Sequence, residues 1–261
     1  MTTRKTLRAS GEAMRTKLFG ADAATATANS DAVPHFRDLM SETEFGIVWS
    51  RPGLALEDRM VCTLAALASL QRQTALRRYV GAALNIGMDI LAIQEVLIQI
   101  GIYAGFTASE EALDTAASVF AQRGVTVKAV APRDESLETL MSRGNGLLQA
   151  LHRDGGNKGY ASPDNKVTGA LYPVAIQYGY GEIWFRPGLE QRQRVLCSVA
   201  SFTALRLEGQ AKKFGQAALN LGLTKTEVLE AVIQTAPFSG FAPALNALGA
   251  LSEVLSEVLR P

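Results

Sequence analysis

From Asp58 to Leu70 the apolar residues Met60, Val61, Leu64, Leu67 and Ala68 recur at three- and four-residue steps, the spacing of one helix face. The alanines among them suit close packing and are good helix formers. A second helical run covers 74 to 86 and stops at Gly87, which suits the left-handed position just past a helix end. The next covers about 89 to 104, with Ile90, Ile93, Val96, Leu97 and Ile100 as its buried side. No run shows strand alternation, so the pattern predicts an all-α chain.

The same pattern occurs twice. A shift of 135 positions aligns Trp49 with Trp184, Arg51-Pro52-Gly53-Leu54 with Arg186-Pro187-Gly188-Leu189, Arg59 with Arg194 and Cys62 with Cys197. It also aligns Ala82-Ala83-Leu84-Asn85 with Ala217-Ala218-Leu219-Asn220, Glu95 with Glu230, Gln99 with Gln234 and Gly105-Phe106 with Gly240-Phe241. No insertion is needed between 45 and 114, and so long a period lies outside the solenoid range. The chain therefore reads as a duplicated domain, residues 1–120 and 137–261. The stretch 121–136 has no helical periodicity, carries Gly124 and Pro132, and reads as the linker. Thr224-Lys225-Thr226-Glu227 has the spacing of a capping box, and Thr107-Ala108-Ser109-Glu110 predicts a similar helix start in the first half. The proline after Arg51 and Arg186 fixes a turn, and the glycine beside it permits a conformation that other residues resist.

Charge and composition narrow the function. With 26 basic and 25 acidic residues the net charge is +1, so no global field recruits nucleic acid or an anionic membrane. The opening MTTRKTLRASGEAMRTK has no apolar core of a secretory leader. The most apolar run, ILAIQEVLIQIGIYAGF, is broken by Gln94, Glu95 and Gln99 and reads as a buried helix. The two cysteines make no disulfide framework, and a cytoplasmic protein is expected. Two histidines without clustered carboxylates argue against a metal site, and no phosphate loop or dinucleotide fingerprint is present.

In combination, WxRPGL, LRRYVGAALNIG and IQEVLIQIGIYAGF, with WFRPGL and AALNLGLTKTEVLEAVIQTAPFSGF in the second half, resemble the carboxymuconolactone decarboxylase family. The resemblance covers about 45 to 114 and 180 to 249. It implies an all-helical alkylhydroperoxidase D-like fold in two tandem domains and assembly into rings, here a homotrimer with a pseudo-hexameric ring. It further implies decarboxylation without metal or organic cofactor. Relatives with a redox cysteine pair are peroxidases, but neither half holds Cys-x-x-Cys, and peroxidase chemistry needs an activated thiolate with a resolving partner. In the decarboxylase branch a histidine commonly stands eight residues before the glycine; here Tyr79 and Phe214 stand there.

The candidate site follows from these positions. Tyr79 and His35 are the candidate catalytic groups, His35 because it precedes the helix that leads into Trp49. Arg51 and Arg186 have the planar fork for a substrate carboxylate, and equally for a neighbouring acid that would hold their loops. Trp49, Trp184, Tyr103 and Phe214 are candidate pocket walls, with Tyr178 and Tyr180 as further hydroxyl donors. Arg59 and Arg194 read as buried partners of Glu95 or Glu230, Cys62 and Cys197 as small buried residues, and Arg77-Arg78 and Lys212-Lys213 as solvated helix faces. Two functions follow: a cofactor-free lyase or isomerase on a small oxygenated organic acid, lactone or polyketide-like compound, and a non-catalytic binding or scaffold protein that kept the ring.

Overall fold

Every regular element among the described residues is helical, as the missing strand alternation predicts. The computed structural model describes residues 2–21, 33–127, 130–153, 162 and 164–256. The first half runs α1 (Arg4–Phe19), α2 (Pro34–Met40), a π-helix (Ser41–Trp49), α3 (Leu56–Ser69), α4 (Gln73–Asn85), α5 (Ile90–Gln99), α6 (Gly101–Ala104) and α7 (Phe106–Gln122). The second half runs α8 (Leu137–His152), α9 (Tyr172–Val174), a second π-helix (Ala175–Glu182), a 3-10 turn (Ile183–Phe185), α10 (Gln191–Ala204), α11 (Glu208–Asn220), α12 (Lys225–Ser239) and α13 (Phe241–Leu255).

Helices α3 and α10 form the centre. Asp58 through Ser69 are buried without a break, as are Arg194 through Ala204. A helix buried all round must be apolar or small on every side, and Ala65, Ala66 and Ala68 face the need for close approach as Ser198, Ala200 and Ser201 do in α10. The two helices pack on one another, so the duplicated halves share one core. Ile93, Val96, Leu97 and Ile100 are wholly buried within the chain, and the Cys197 thiol of the other half reaches the Val96 carbonyl at 3.8 Å. The apolar face of α5 is thus spent inside the chain, chiefly on α3 and α7 of its own half and in part on α10 of the other.

Glycines decide two close approaches. A Cβ on Gly11 would run into the Ser41 carbonyl, and one on Gly46 into the Leu7 carbonyl, so α1 lies directly on the first π-helix. Gly144 and Gly181 repeat the arrangement between α8 and the second π-helix. Asn85 then donates from Nδ2 to the Leu18 carbonyl at 2.8 Å, and Asn220 to the Leu151 carbonyl at 2.8 Å. Helices α1 and α8 are therefore equivalents that the 135-residue alignment did not reach, with Phe19 matching His152.

The capping box at Thr224 forms, Thr224 Oγ1 accepting from the Glu227 amide at 3.2 Å and the Glu227 carboxylate accepting from the Thr224 amide at 2.8 Å. At Thr107 the expectation fails. Helix α7 starts two residues earlier than a box at Thr107 would place it, behind Gly105 at φ +100°, and no side chain caps it. The positive φ turns the chain so sharply after α6 that the helix restarts at once and places Thr107 in its first turn. No described helix is long and apolar enough to cross a membrane.

Candidate functional site

The Arg-Pro-Gly-Leu loops meet carboxylates, each from the opposite half. Arg51 forks onto Glu230, its Nε 2.9 Å from both carboxylate oxygens and its Nη2 2.8 Å from Oε1. Fully buried Arg59 donates to Glu230 at 2.8 Å, to the Arg51 carbonyl at 2.9 Å and to Gln234 Oε1 at 3.1 Å. The mirror set joins Arg186 to Glu95 at 2.9 Å, and Arg194 to Glu95 at 3.0 Å, to the Arg186 carbonyl at 2.7 Å and to Gln99 Oε1 at 2.9 Å. Burial pushes the Arg194 guanidinium down, and the Glu95 carboxylate opposes it. The spacing of the repeated motif now has a cause. The second arginine, eight residues on, ties the loop carbonyl and the other half's glutamate into one network.

A separate aromatic cluster surrounds Tyr79. Trp49 stacks on it with centroids 5.9 Å apart and planes 7° from parallel. Phe19 meets it edge-on at 5.4 Å, and Phe238 from the second half does so at 5.3 Å. Within this box the Tyr79 hydroxyl donates a short hydrogen bond to the buried carboxyl of Glu44. Burial raises the Glu44 carboxyl above the usual carboxylate range against the lowering effect of that hydrogen bond, and it raises the Tyr79 phenol well above its own. Both groups thus favour their protonated forms. The π-helix positions the acid: its i→i+5 bonding widens the turn and brings residues five apart, Glu44 and Trp49, towards one side.

Above this box lies a cleft of about 300 Å³ lined by Phe19, Arg77, Arg78, Gly81, Asn85 and Arg123 among others. Phe19 stands between the two: it lines the cleft and meets Tyr79 edge-on, while the Arg78 guanidinium lies 5.1 Å from its ring centroid. Arg77 and Arg78 are exposed, as a solvated helix face should be, but they also form a cationic mouth.

The second half keeps the scaffold with different chemistry. Trp184, Tyr180 and Phe214 hold the positions of Trp49, Phe45 and Tyr79, and Gly179 stands where Glu44 would be. Tyr103 of the first half closes that cluster, 6.2 Å from Phe214, with its hydroxyl 2.5 Å from Ser198 Oγ and 2.8 Å from Gln99 Nε2. The structure therefore brings Trp49 together with Tyr79, and Trp184 with Phe214 and Tyr103. It does not unite Tyr79 with Tyr103, which lie in different clusters. Arg51 and Arg186 sit on the cross-half glutamates, His35 is exposed on α2, and Tyr178 is exposed too. Cys62 and Cys197 are free and fully buried.

Sequence reasoning missed Glu44 and Phe19. Glu44 carried one signal: it is a charged residue next to Phe45, five before Trp49, with only glycine opposite it in the repeat.

Comparison with known proteins agrees with this architecture. The chain is 35% identical over 95 residues to the 4-carboxymuconolactone decarboxylase of Acinetobacter baylyi, covering 36% of this chain and 71% of that protein. It is 30% identical over 77 residues to a nitrosuccinic acid decarboxylase of Metarhizium robertsii, covering 30% of this chain and about half, 54%, of that protein. The profile of the carboxymuconolactone decarboxylase family matches twice, over residues 34–118 and 170–253. The chain belongs to the carboxymuconolactone decarboxylase family, as a member with two domains in tandem.

Proposed function

We propose that the chain is a lyase of the decarboxylase type that acts on a small oxygenated organic acid or lactone, with Tyr79 and Glu44 as its proton-transfer couple and no organic cofactor. The observation that carries this reading is the hydrogen bond between the Tyr79 hydroxyl and the buried Glu44 carboxyl, set in an aromatic box beneath a cationic cleft. Two relatives named as decarboxylases of small acids support it.

The chemistry asks little of the protein. Loss of CO₂ breaks the bond between the carboxylate and the adjacent carbon and leaves the electron pair on that carbon, spread onto an oxygen of a conjugated carbonyl or nitro group. A hydroxyl held at that oxygen stabilises the charge as it develops. The carbon then takes one proton. For this the Tyr79 O–H turns from Glu44 to the substrate and gives its proton to the carbon, while the phenol oxygen takes the proton of Glu44, which burial biases towards its acid form; a proton from water restores Glu44 after product leaves. Arg77, Arg78 and Arg123 draw the acid to the mouth by charge, and Phe19 must turn aside for substrate to reach Tyr79. The occupant of the histidine position in the family's decarboxylases is thus replaced by a phenol paired with a carboxyl whose pKa burial raises.

The test is CO₂ release from 4-carboxymuconolactone and from nitrosuccinate, with wild type and Tyr79→Phe. Turnover should fall about 10²- to 10⁴-fold in the variant, the usual worth of a positioned proton donor, with the fold intact. Full turnover by Tyr79→Phe would remove the tyrosine from the mechanism. A second reading, a binding protein that has lost turnover, draws on the near-complete burial of Tyr79 and Glu44. Binding of either acid without CO₂ release would favour it.

A further inference from the structure

The second half has its own cleft at the position equivalent to the one above Tyr79. It measures about 410 Å³ and is lined by His152, Gly209, Lys212, Lys213, Gln216 and Val254. Lys212 and Lys213 are the repeat equivalents of Arg77 and Arg78, so both clefts have a paired cationic rim. The wall differs. Where the first half has Phe19 outside and Tyr79 inside, the second has His152 outside and Phe214 inside. The polar, proton-bearing group has moved one layer towards solvent.

His152 is built into that wall. Its ring packs edge-on against Phe214 at 5.2 Å, and its Nε2 is buried with no hydrogen-bond partner among the described residues. Buried polar atoms without partners are uncommon. The imidazole χ2 torsion is broad, so a ring rotation can present this nitrogen to the cleft once something there can bond it. Lys212 is paired with Glu253 at 2.7 Å, but both side chains are largely solvated, and such pairs hold weakly. An anion in the cleft can therefore draw Lys212 away.

We infer that the second half carries a ligand site of its own, which takes a small organic carboxylate, its charge between Lys212 and Lys213, its apolar body against Val254 and one oxygen bonded to His152 Nε2. The inference does not depend on Tyr79 being catalytic. Burial, and then the charge of Lys213, lowers the His152 pKa to about 4, so the ring is neutral at pH 7 and offers both a donor and an acceptor. Gly179 in place of Glu44 leaves the inner cluster of this half without its carboxyl.

The chain holds only two histidines, which makes the test direct. The imidazole Cε1–H resonances of His152 and of exposed His35 are followed by NMR while benzoate is added, with neutral benzamide as the control. Benzoate should shift the His152 signal saturably and leave His35 in place, and benzamide should not reproduce the shift. His152→Phe, which copies Phe19 of the first half and so suits the fold, assigns the signal. Lys212→Gln with Lys213→Gln should weaken the titration about tenfold. No benzoate shift at His152, an equal shift with benzamide, or an unaltered titration in the lysine variant overturns the site.

Discussion

Arg194 and Glu95 are both fully buried, their charged atoms lie 3.0 Å apart, and they belong to opposite halves of the chain. Removing one partner of such a pair leaves an uncompensated buried charge, which typically costs about 3–5 kcal/mol. Glu95→Ala should lower stability by that order, and in a double-mutant cycle with Arg194→Met the losses should be far from additive. Since the network crosses between halves, urea unfolding should be a single transition for the whole chain, shifted as one. Two separable transitions, only one of them moved by Glu95→Ala, would contradict the shared core.

Glu44 sets a pH dependence whose sign can be worked out. Its native pKa is raised by burial, so between the ordinary carboxylate value and the raised native value the folded state binds more protons than the unfolded. Stability then falls as pH rises through that window, having been fully present below the unfolded pKa. Glu44→Gln keeps the shape and removes the titration. Denaturation midpoints measured from pH 4 upward should decline for wild type relative to the variant across that range. Parallel curves would mean that Glu44 titrates normally and is not held as an acid.

These two networks were not equally legible in the sequence. The pairing of Arg59 and Arg194 with Glu95 and Glu230 followed from the repeat, because a duplicated arginine and glutamate on buried helix faces need one another. Which glutamate meets which arginine did not follow, because the repeat relates both halves and makes pairing within and between them identical on paper. Helix boundaries held to about a residue wherever glycine or a capping box ended the pattern, as at Gly87 and Thr224, and slipped at Thr107, where Gly105 supplied the turn. The Glu44–Tyr79 couple was hidden for a geometric reason. Read with an α-helical period, residues 44 and 49 diverge; only the π-helix brings them towards one side. Phe19 was hidden because the equivalence of α1 and α8 is carried by Gly11, Gly144, Asn85 and Asn220 rather than by a run of matching residues.

The cysteines should be inert in the native protein. Burial raises the Cys197 thiol to about 12 and the Cys62 thiol well above its ordinary value, and only thiolates attack. Neither should react with a maleimide until the chain is unfolded, and hydroperoxide should not be consumed. Peroxide turnover that disappeared in Cys62→Ser or Cys197→Ser would overturn this.

The last expectation concerns assembly, which we propose is a homotrimer. The apolar residues left at the surface are themselves repeated: Phe36 and Leu39 on α2 match Leu171 and Val174, at 58%, 47%, 71% and 48% exposure. Phe106 and Phe241 match in the same way, at 66% and 64%. A patch that recurs by the internal symmetry of the chain is what a closed ring of repeated domains uses, since each subunit then offers two equivalent edges. Exposed apolar surface of this kind marks an interaction site. Light scattering at micromolar concentration should give a mass near three times the 27.9 kDa of one chain. Phe36→Glu together with Leu171→Glu should shift the mass towards one chain without loss of helicity, because neither side chain belongs to the core. A wild-type monomer, or a trimer untouched by the charged pair, would place the assembly surface elsewhere or remove it.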